Sequence, residues 1–213
     1  MRIVLLGATG FVGRHLLPRL SAAGHDCLAL TRNRMSCRDL TIIPRVEVRQ
    51  ADVYDRELLT KALLGADAVV SMVGILNESG RRGKGFHKAH VALIETIIEA
   101  CRAAGVERLI HVSALNSGRG KSLYLKSKGE AEERIRSAAD LKSTILQPSV
   151  IFGDGDAFFN RFARLLKAAP VLHLASPDAR LQPVWIVDVA TLVTRTLADA
   201  STAGETLELL GPR

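Results

Sequence analysis

The feature that most constrains this chain stands at its start. The apolar run Ile3-Val4-Leu5-Leu6 passes without a linker into Gly7-Ala8-Thr9-Gly10-Phe11-Val12-Gly13, and a helical pattern begins at once. A continuous apolar run bounded by glycine reads as a strand covered on both faces, which is what a parallel sheet requires. Each glycine then stands where a side chain would obstruct. Gly7 permits the tight turn out of the strand, Gly10 lets backbone approach a phosphate, and Gly13 allows the helix to lie close to the strand. The first N–H groups of that helix have no partner within it, so the loop ends on an anion site.

The same alternation of short β-type runs and longer helical patterns continues down the chain. Strands are expected at residues 2–6, 27–31, 46–50, 68–73, 108–113, 143–147 and 206–210, and helices at 11–22, 56–64, 86–104, 122–137, 158–168 and 189–200. Within the third helix, Val91, Ile94, Ile98 and Cys101 recur at spacings of three and four and make one buried stripe. Gly24, Gly65 and Gly105 each come just after a helical pattern, where a left-handed cap suits glycine. The expectation is an α/β fold: a Rossmann-type doubly wound parallel sheet of about seven strands, helices on both faces, in one domain over residues 1–213. Ligands of such sheets bind at the carboxyl ends of the strands, where strand order reverses.

Composition removes several alternatives. With 47% hydrophobic residues the 213-residue chain can bury a large core, and its three cysteines, Cys27, Cys37 and Cys101, form neither a pair motif nor a metal cluster. A reducing, cytoplasmic setting fits, and no run has the apolar length of a membrane span. Net charge of +7 suggests an anionic partner, but 4% aromatic residues supply no stacking platform for nucleic acid.

Many dinucleotide folds end the second strand on an acidic residue that holds the ribose 2′-hydroxyl. Here Leu30-Thr31 runs into Arg32-Asn33-Arg34. Arg32 matches a 2′-phosphate, with Arg34 as a second contact, so NADP(H) is expected over NAD(H); the alternative is a solvated arginine. Asp52, with Val53 next to it, stands where its carboxylate meets an adenine amino group, or where it merely closes a turn.

Tyr124 and Lys128 lie at i and i+4 at the start of the helix expected over 122–137 and so share a face. An ammonium beside a phenol favours the phenolate, which brings a group titrating near ~10 toward neutrality and into acid–base use.

Taken with the glycine loop, Asp52-Val53, Ser71-Met72-Val73-Gly74, His111-Val112-Ser113-Ala114 and Pro148-Ser149-Val150-Ile151-Phe152-Gly153, this pair resembles the short-chain dehydrogenase/reductase superfamily. The likeness is to its extended or atypical branch, which includes NAD-dependent epimerases and dehydratases. Phe158-Phe159-Asn160-Arg161-Phe162 and Gln182-Pro183-Val184-Trp185-Ile186-Val187-Asp188 are similar to the subfamily that holds the NADPH-binding accessory subunit of respiratory complex I and its bacterial relatives, as is the stretch opening on Gly204-Glu205-Thr206. The resemblance implies that Tyr124 moves the proton, that Lys128 holds the nicotinamide ribose, and that Thr9, Phe11 and Val12 line the pyrophosphate. Val73 and Gly74 would pass near the adenosine ribose, and Pro148 and Val150 would border the nicotinamide. Ser113 is the candidate for polarising a substrate, Ser117 the second choice, and a backbone-bonded hydroxyl the plain alternative.

That resemblance implies two functions. One is an NADP(H)-dependent oxidoreductase, epimerase or dehydratase acting on a small molecule. The other is a non-catalytic dinucleotide-binding protein associated with a respiratory complex. Arg81, Arg82, Lys84, Arg119 and Lys121 fall in loops at the carboxyl edge, which suits an anionic substrate. Extended members continue into a C-terminal substrate region, whereas the sequence stops just after its last strand, so that region is expected to be short or missing. His87 and His90 read as a solvated helix face rather than a metal pair, Trp185 as packed beneath the last helix, and Asp188 as that helix's N-cap.

Overall fold

A computed structural model describes residues 1–78, 82–168 and 180–212. The first strand, β1 (Arg2–Leu6), passes through the glycine loop into α1 (Phe11–Ala22), and β2 (Asp26–Thr31), β3 (Val46–Gln50), α2 (Arg56–Leu63) and β4 (Ala68–Ser71) come next. A short α3 (Lys84–Phe86) runs through a π-helical segment, His87–Ala92, into α4 (Leu93–Ala104). After β5 (Arg108–Val112) come α5 (Leu123–Ser137), β6 (Lys142–Pro148), β7 (Ile151–Phe152), α6 (Phe158–Ala168), β8 (Val184–Trp185), α7 (Ile186–Ala198) and β9 (Thr206–Leu209).

Seven strands form one wholly parallel sheet in the order β3-β2-β1-β4-β5-β6-β9, while β7 and β8 pair separately. This is the doubly wound sheet expected from the alternation of runs. Strand order reverses between β1 and β4, directly above the glycine loop. The sheet divides two cores. On one face Leu16, Leu17 and Leu20 of α1 meet Val189 and Val193 of α7; on the other Leu59, Leu63, Ile94 and Ile97 pack from α2 and α4. Each fully buried aliphatic side chain contributes ~1.5–3 kcal/mol of transfer free energy, so both covering layers are held chiefly by apolar burial. Gly24, Gly65 and Gly105 have φ of 82°, 70° and 73°, as their positions past helices implied.

Two local expectations change. The last helix begins at Ile186, because β8 delivers an extended Trp185 as its N-cap, so Asp188 sits inside the first turn. Its carboxylate still meets the favourable end of the helix dipole. Trp185 is 47% exposed rather than packed under that helix; its neighbours Val184 and Ile186 are the buried ones. After β2 the chain also makes a 3-10 segment, Arg34–Leu40, started by the Asn33 side chain accepting from the Met35 N–H.

Candidate functional site

The glycine loop is built by close backbone contact. Gly7 turns at φ 86°, and a Cβ there would stand 2.9 Å from the Met72 carbonyl carbon and the Val73 nitrogen. The stretch after β4 thus lies directly against the loop at Met72 and Val73, while Gly74 lies beside His90, 3.9 Å from its Nε2 to a built Cβ. At Gly13 a Cβ would fall 2.4 Å from Ala8 Cα, so only glycine lets α1 approach. Gly10 is exposed, and a Cβ there would meet only the Gly7 carbonyl, at 3.2 Å. The first turn of α1, Phe11-Val12-Gly13, carries no acidic residue, leaving its N–H groups and dipole suited to an anion. Arg14 fixes the flank by donating from Nε to the Thr9 carbonyl at 3.0 Å and pairing with Asp39.

Arg32 is exposed immediately past β2. Asp52 accepts the Tyr54 N–H at 3.0 Å, the turn-closing role, while Val53 is buried beneath it. Burial raises the Tyr54 phenol, with Arg32 opposing and Asp52 adding, so both charges flank that ring. The Lys88 ammonium lies 4.9 Å from the ring centroid. Sequence reading missed Tyr54 and Lys88, since nothing in spacing joins them.

At the other side of the reversal point, Ser122 caps α5 by accepting the Leu125 N–H at 3.2 Å, and Tyr124 and Lys128 come after it on one face. The Tyr124 ring stands edge-on to Phe86 and His90, with centroids 5.9 and 5.5 Å away. Lys128 is 2% exposed; its ammonium donates to the Val112 carbonyl at 2.9 Å and faces His111 Nε2 at 3.5 Å. Burial lowers Lys128 to about 8 and raises Tyr124. The expected lowering of the phenol by Lys128 is not found: burial alone shifts Tyr124, upward, and the amine is turned inward to the end of β5.

His90 is the residue most misread from sequence. It is buried, unlike the exposed His87, and burial with the nearby Lys128 charge lowers it to about 4. Its Nε2 accepts the Ile75 N–H at 3.3 Å, which places the proton on Nδ1, facing Ser127 Oγ at 2.8 Å. Among the described residues no three potential ligands gather around a metal site. The π-helical turn that carries His90 is itself a form common at functional positions.

Ser113 is buried at the end of β5, but its hydroxyl donates to the Glu132 carboxylate and lies 3.0 Å from Ser117 Oγ. Glu132 also receives Gln147 Nε2 at 2.8 Å and Arg136 at 2.6 Å. A buried carboxylate needs such donors, and it holds Ser113 against α5 one turn past Lys128, while Ser117 Oγ donates to the Ala114 carbonyl at 2.6 Å. Pro148 ends β6, its carbonyl accepting from Leu115, and Val150 accepts from Val184, so both border the same edge. Two buried polar atoms there, Ser71 Oγ and His111 Nδ1, have no partner among the described residues; Ser71 and His111 are register partners across β4 and β5.

Arg82, Lys84, Arg119 and Lys121 are exposed, and Gly83 lies against Leu123, which brings the two basic loops together beside Tyr124. Arg81 lies outside the described residues.

Comparison with known proteins identifies the family and the fold. The family described as NAD(P)H-binding matches residues 7–162. The mitochondrial NADH dehydrogenase (ubiquinone) 1 alpha subcomplex subunit 9 of Mus musculus is 31% identical over 215 residues, covering 98% of this chain and 56% of that protein. Ceramide reductase of Caulobacter vibrioides is 33% identical over 193 residues, covering 88% and 58% respectively. The chain thus spans a little over half the length of these relatives. Among solved structures, a dTDP-glucose 4,6-dehydratase from Streptomyces venezuelae with NAD bound superposes with a TM-score of 0.82 at 23% identity, over 100% of this chain and 76% of that one.

Proposed function

The chain belongs to the NAD(P)H-binding family, and from that premise we propose that it is an NADP(H)-dependent oxidoreductase of the short-chain dehydrogenase type, with Tyr124 as proton donor or acceptor. The observation that carries this reading is the placement of Tyr124 and Lys128, one helical turn apart, across the strand-order reversal from the glycine loop.

The residues fit a dinucleotide. The open backbone at Gly10 and the acid-free first turn of α1 suit its pyrophosphate, and Arg32 with Tyr54 suits the phosphorylated adenosine end. The unpartnered Ser71 Oγ and His111 Nδ1 mark polar capacity at the same edge. When bound, the nicotinamide supplies or accepts the hydride. The protein's own work is then to orient and to move one proton. With its phenol raised by burial, Tyr124 is a neutral acid at pH 7, able to give a proton to an oxygen that gains negative charge as a carbonyl is reduced. Lys128 supplies the adjacent positive charge and a donor for a ribose hydroxyl. Phe86 and His90 hold the tyrosine ring, and the basic loops favour an anionic substrate.

A second reading has its own support. Ser113 is bound to Glu132, and the Lys128 amine is tied to Val112, which is an arrangement a binding protein can keep without turnover. The mouse relative is named as a subunit of NADH dehydrogenase, so a non-catalytic NADP(H)-binding component of a respiratory complex is the rival.

Calorimetric titration with NADPH and NADH on the wild type, Tyr124→Phe and Lys128→Ala separates them. The enzyme reading expects NADPH binding that Lys128→Ala weakens and Tyr124→Phe retains, together with carbonyl reduction that Tyr124→Phe abolishes. Binding without turnover on any ketone tried, in wild type and Tyr124→Phe alike, supports the rival; no binding of either nucleotide ends both.

A further inference from the structure

We propose that the apolar side of α6, together with Phe152 and Trp185, is a docking surface for an anionic lipid bilayer, which this helix lies upon. The inference stands apart from the catalytic reading.

Four of the chain's six phenylalanines and its sole tryptophan gather here. Phe152 and Trp185 are register partners in the β7–β8 pair, Phe152 stands edge-on to Phe159 at 6.2 Å, and Phe158 contacts both Phe159 and Phe162 at 5.1 Å. Each of Phe152, Phe158, Phe159 and Trp185 is 37–47% exposed. Leu165 and Leu166 extend the surface down the helix, at 44% and 53%. At about 100° per residue, the five apolar side chains of α6 fall within an arc of about 120°. Contiguous apolar surface of this kind on a folded chain marks an interaction site.

Charge identifies the occupant. The rest of α6 carries Arg161, Arg164 and Lys167 and no acidic residue, and among the described residues none of the three pairs with a carboxylate. Asp156, the nearest acid, is turned into the helix start, accepting the Phe159 N–H at 2.6 Å. A strongly amphipathic helix with Phe, Leu and a neighbouring Trp on one side and only Arg and Lys among its charges suits the headgroup boundary of an anionic membrane. A protein partner would leave that one-signed rim to be matched by a specific acidic surface. Among the described residues no helix is long and apolar enough to cross a membrane, so the contact is interfacial.

The test is flotation of the full chain with vesicles of phosphatidylglycerol and of phosphatidylcholine, read alongside Trp185 emission. Binding to the first, weak binding to the second, loss at high salt, and a blue shift of Trp185 quenched by brominated acyl chains are expected. At roughly five-fold per basic residue, Arg161→Gln/Arg164→Gln/Lys167→Gln weakens vesicle binding on the order of 100-fold. Phe158→Ser/Phe159→Ser/Leu166→Ser, at exposed positions, abolishes it while leaving the thermal midpoint near the wild-type value. No flotation with anionic vesicles overturns the proposal. So does binding that both variants retain, or a lipid-free dimer that the apolar variant dissolves, which would give this face to a second copy of the chain.

Discussion

His90 Nδ1 donates to Ser127 Oγ across 2.8 Å, and that hydroxyl donates in turn to the Tyr124 carbonyl at 2.8 Å. With Nε2 taking the Ile75 N–H, one neutral imidazole ties the stretch after β4 to the first turn of α5. Folded His90 binds a proton only near about 4, whereas the unfolded chain does so near 6.5. The unfolded state therefore holds more protons between those values, and stability present above pH 6.5 is lost as pH falls toward 4. His111, lowered chiefly by burial, acts in the same direction. Urea midpoints of wild type and His90→Asn at about pH 7 and about pH 4.5 check this: the wild type loses more by about 1–3 kcal/mol, and parallel losses would refute it.

Lys128→Met is expected to stabilise the fold while weakening nucleotide binding. Burial holds the ammonium at about 8 instead of 10.5, and that cost exceeds the bond to Val112, leaving a gain of about 2 kcal/mol at pH 7. The wild-type contribution rises as pH passes from 8 to 10.5, so the gap between the proteins narrows there. Thermal midpoints across that range show whether it does.

Gly13→Ala and Gly105→Ala separate two uses of glycine. The first drives a Cβ to 2.4 Å from Ala8 Cα and must push α1 off β1, costing about 3 kcal/mol and the nucleotide site. The second has open space but φ of 73°, and costs about 1 kcal/mol. Denaturant midpoints with NADPH titration distinguish the two.

Arg32→Ala is expected to weaken NADPH binding about ten-fold or more, the loss of a charge-assisted contact, and to leave NADH binding unchanged. Equal losses for both nucleotides would place Arg32 elsewhere in the site.

Ser113→Ala tests whether that hydroxyl polarises a substrate. Because it serves Glu132, the substitution is expected to cost about 1–2 kcal/mol of stability and less than about ten-fold in kcat. A loss of roughly 10²–10³ in kcat, with stability retained, would assign Ser113 the catalytic role.

Much of the sheet was legible because buried parallel strands declare themselves as apolar runs, but which strands flank the reversal point emerged only from the pairing of β1 with β4. Contacts across elements were not legible. His87 and His90 look alike in sequence; only the packing of Phe86, Tyr124 and Ser127 around one of them separates core from surface. Asp188 resembled a cap because the two-residue strand before α7 is too short for a periodic signal. Ser113 sits at a strand end as expected, yet its partner comes from 19 residues away on α5.

The π-helical turn at His87–Ala92 makes helix register an adjustable quantity. One extra residue in that turn rotates the N-terminal part of the helix by about 100° relative to the C-terminal part. Deleting a single residue there would swing His90 away from Tyr124 while the buried stripe of α4 kept its seat against the sheet. Site geometry and core packing can thus be edited separately within one continuous helix.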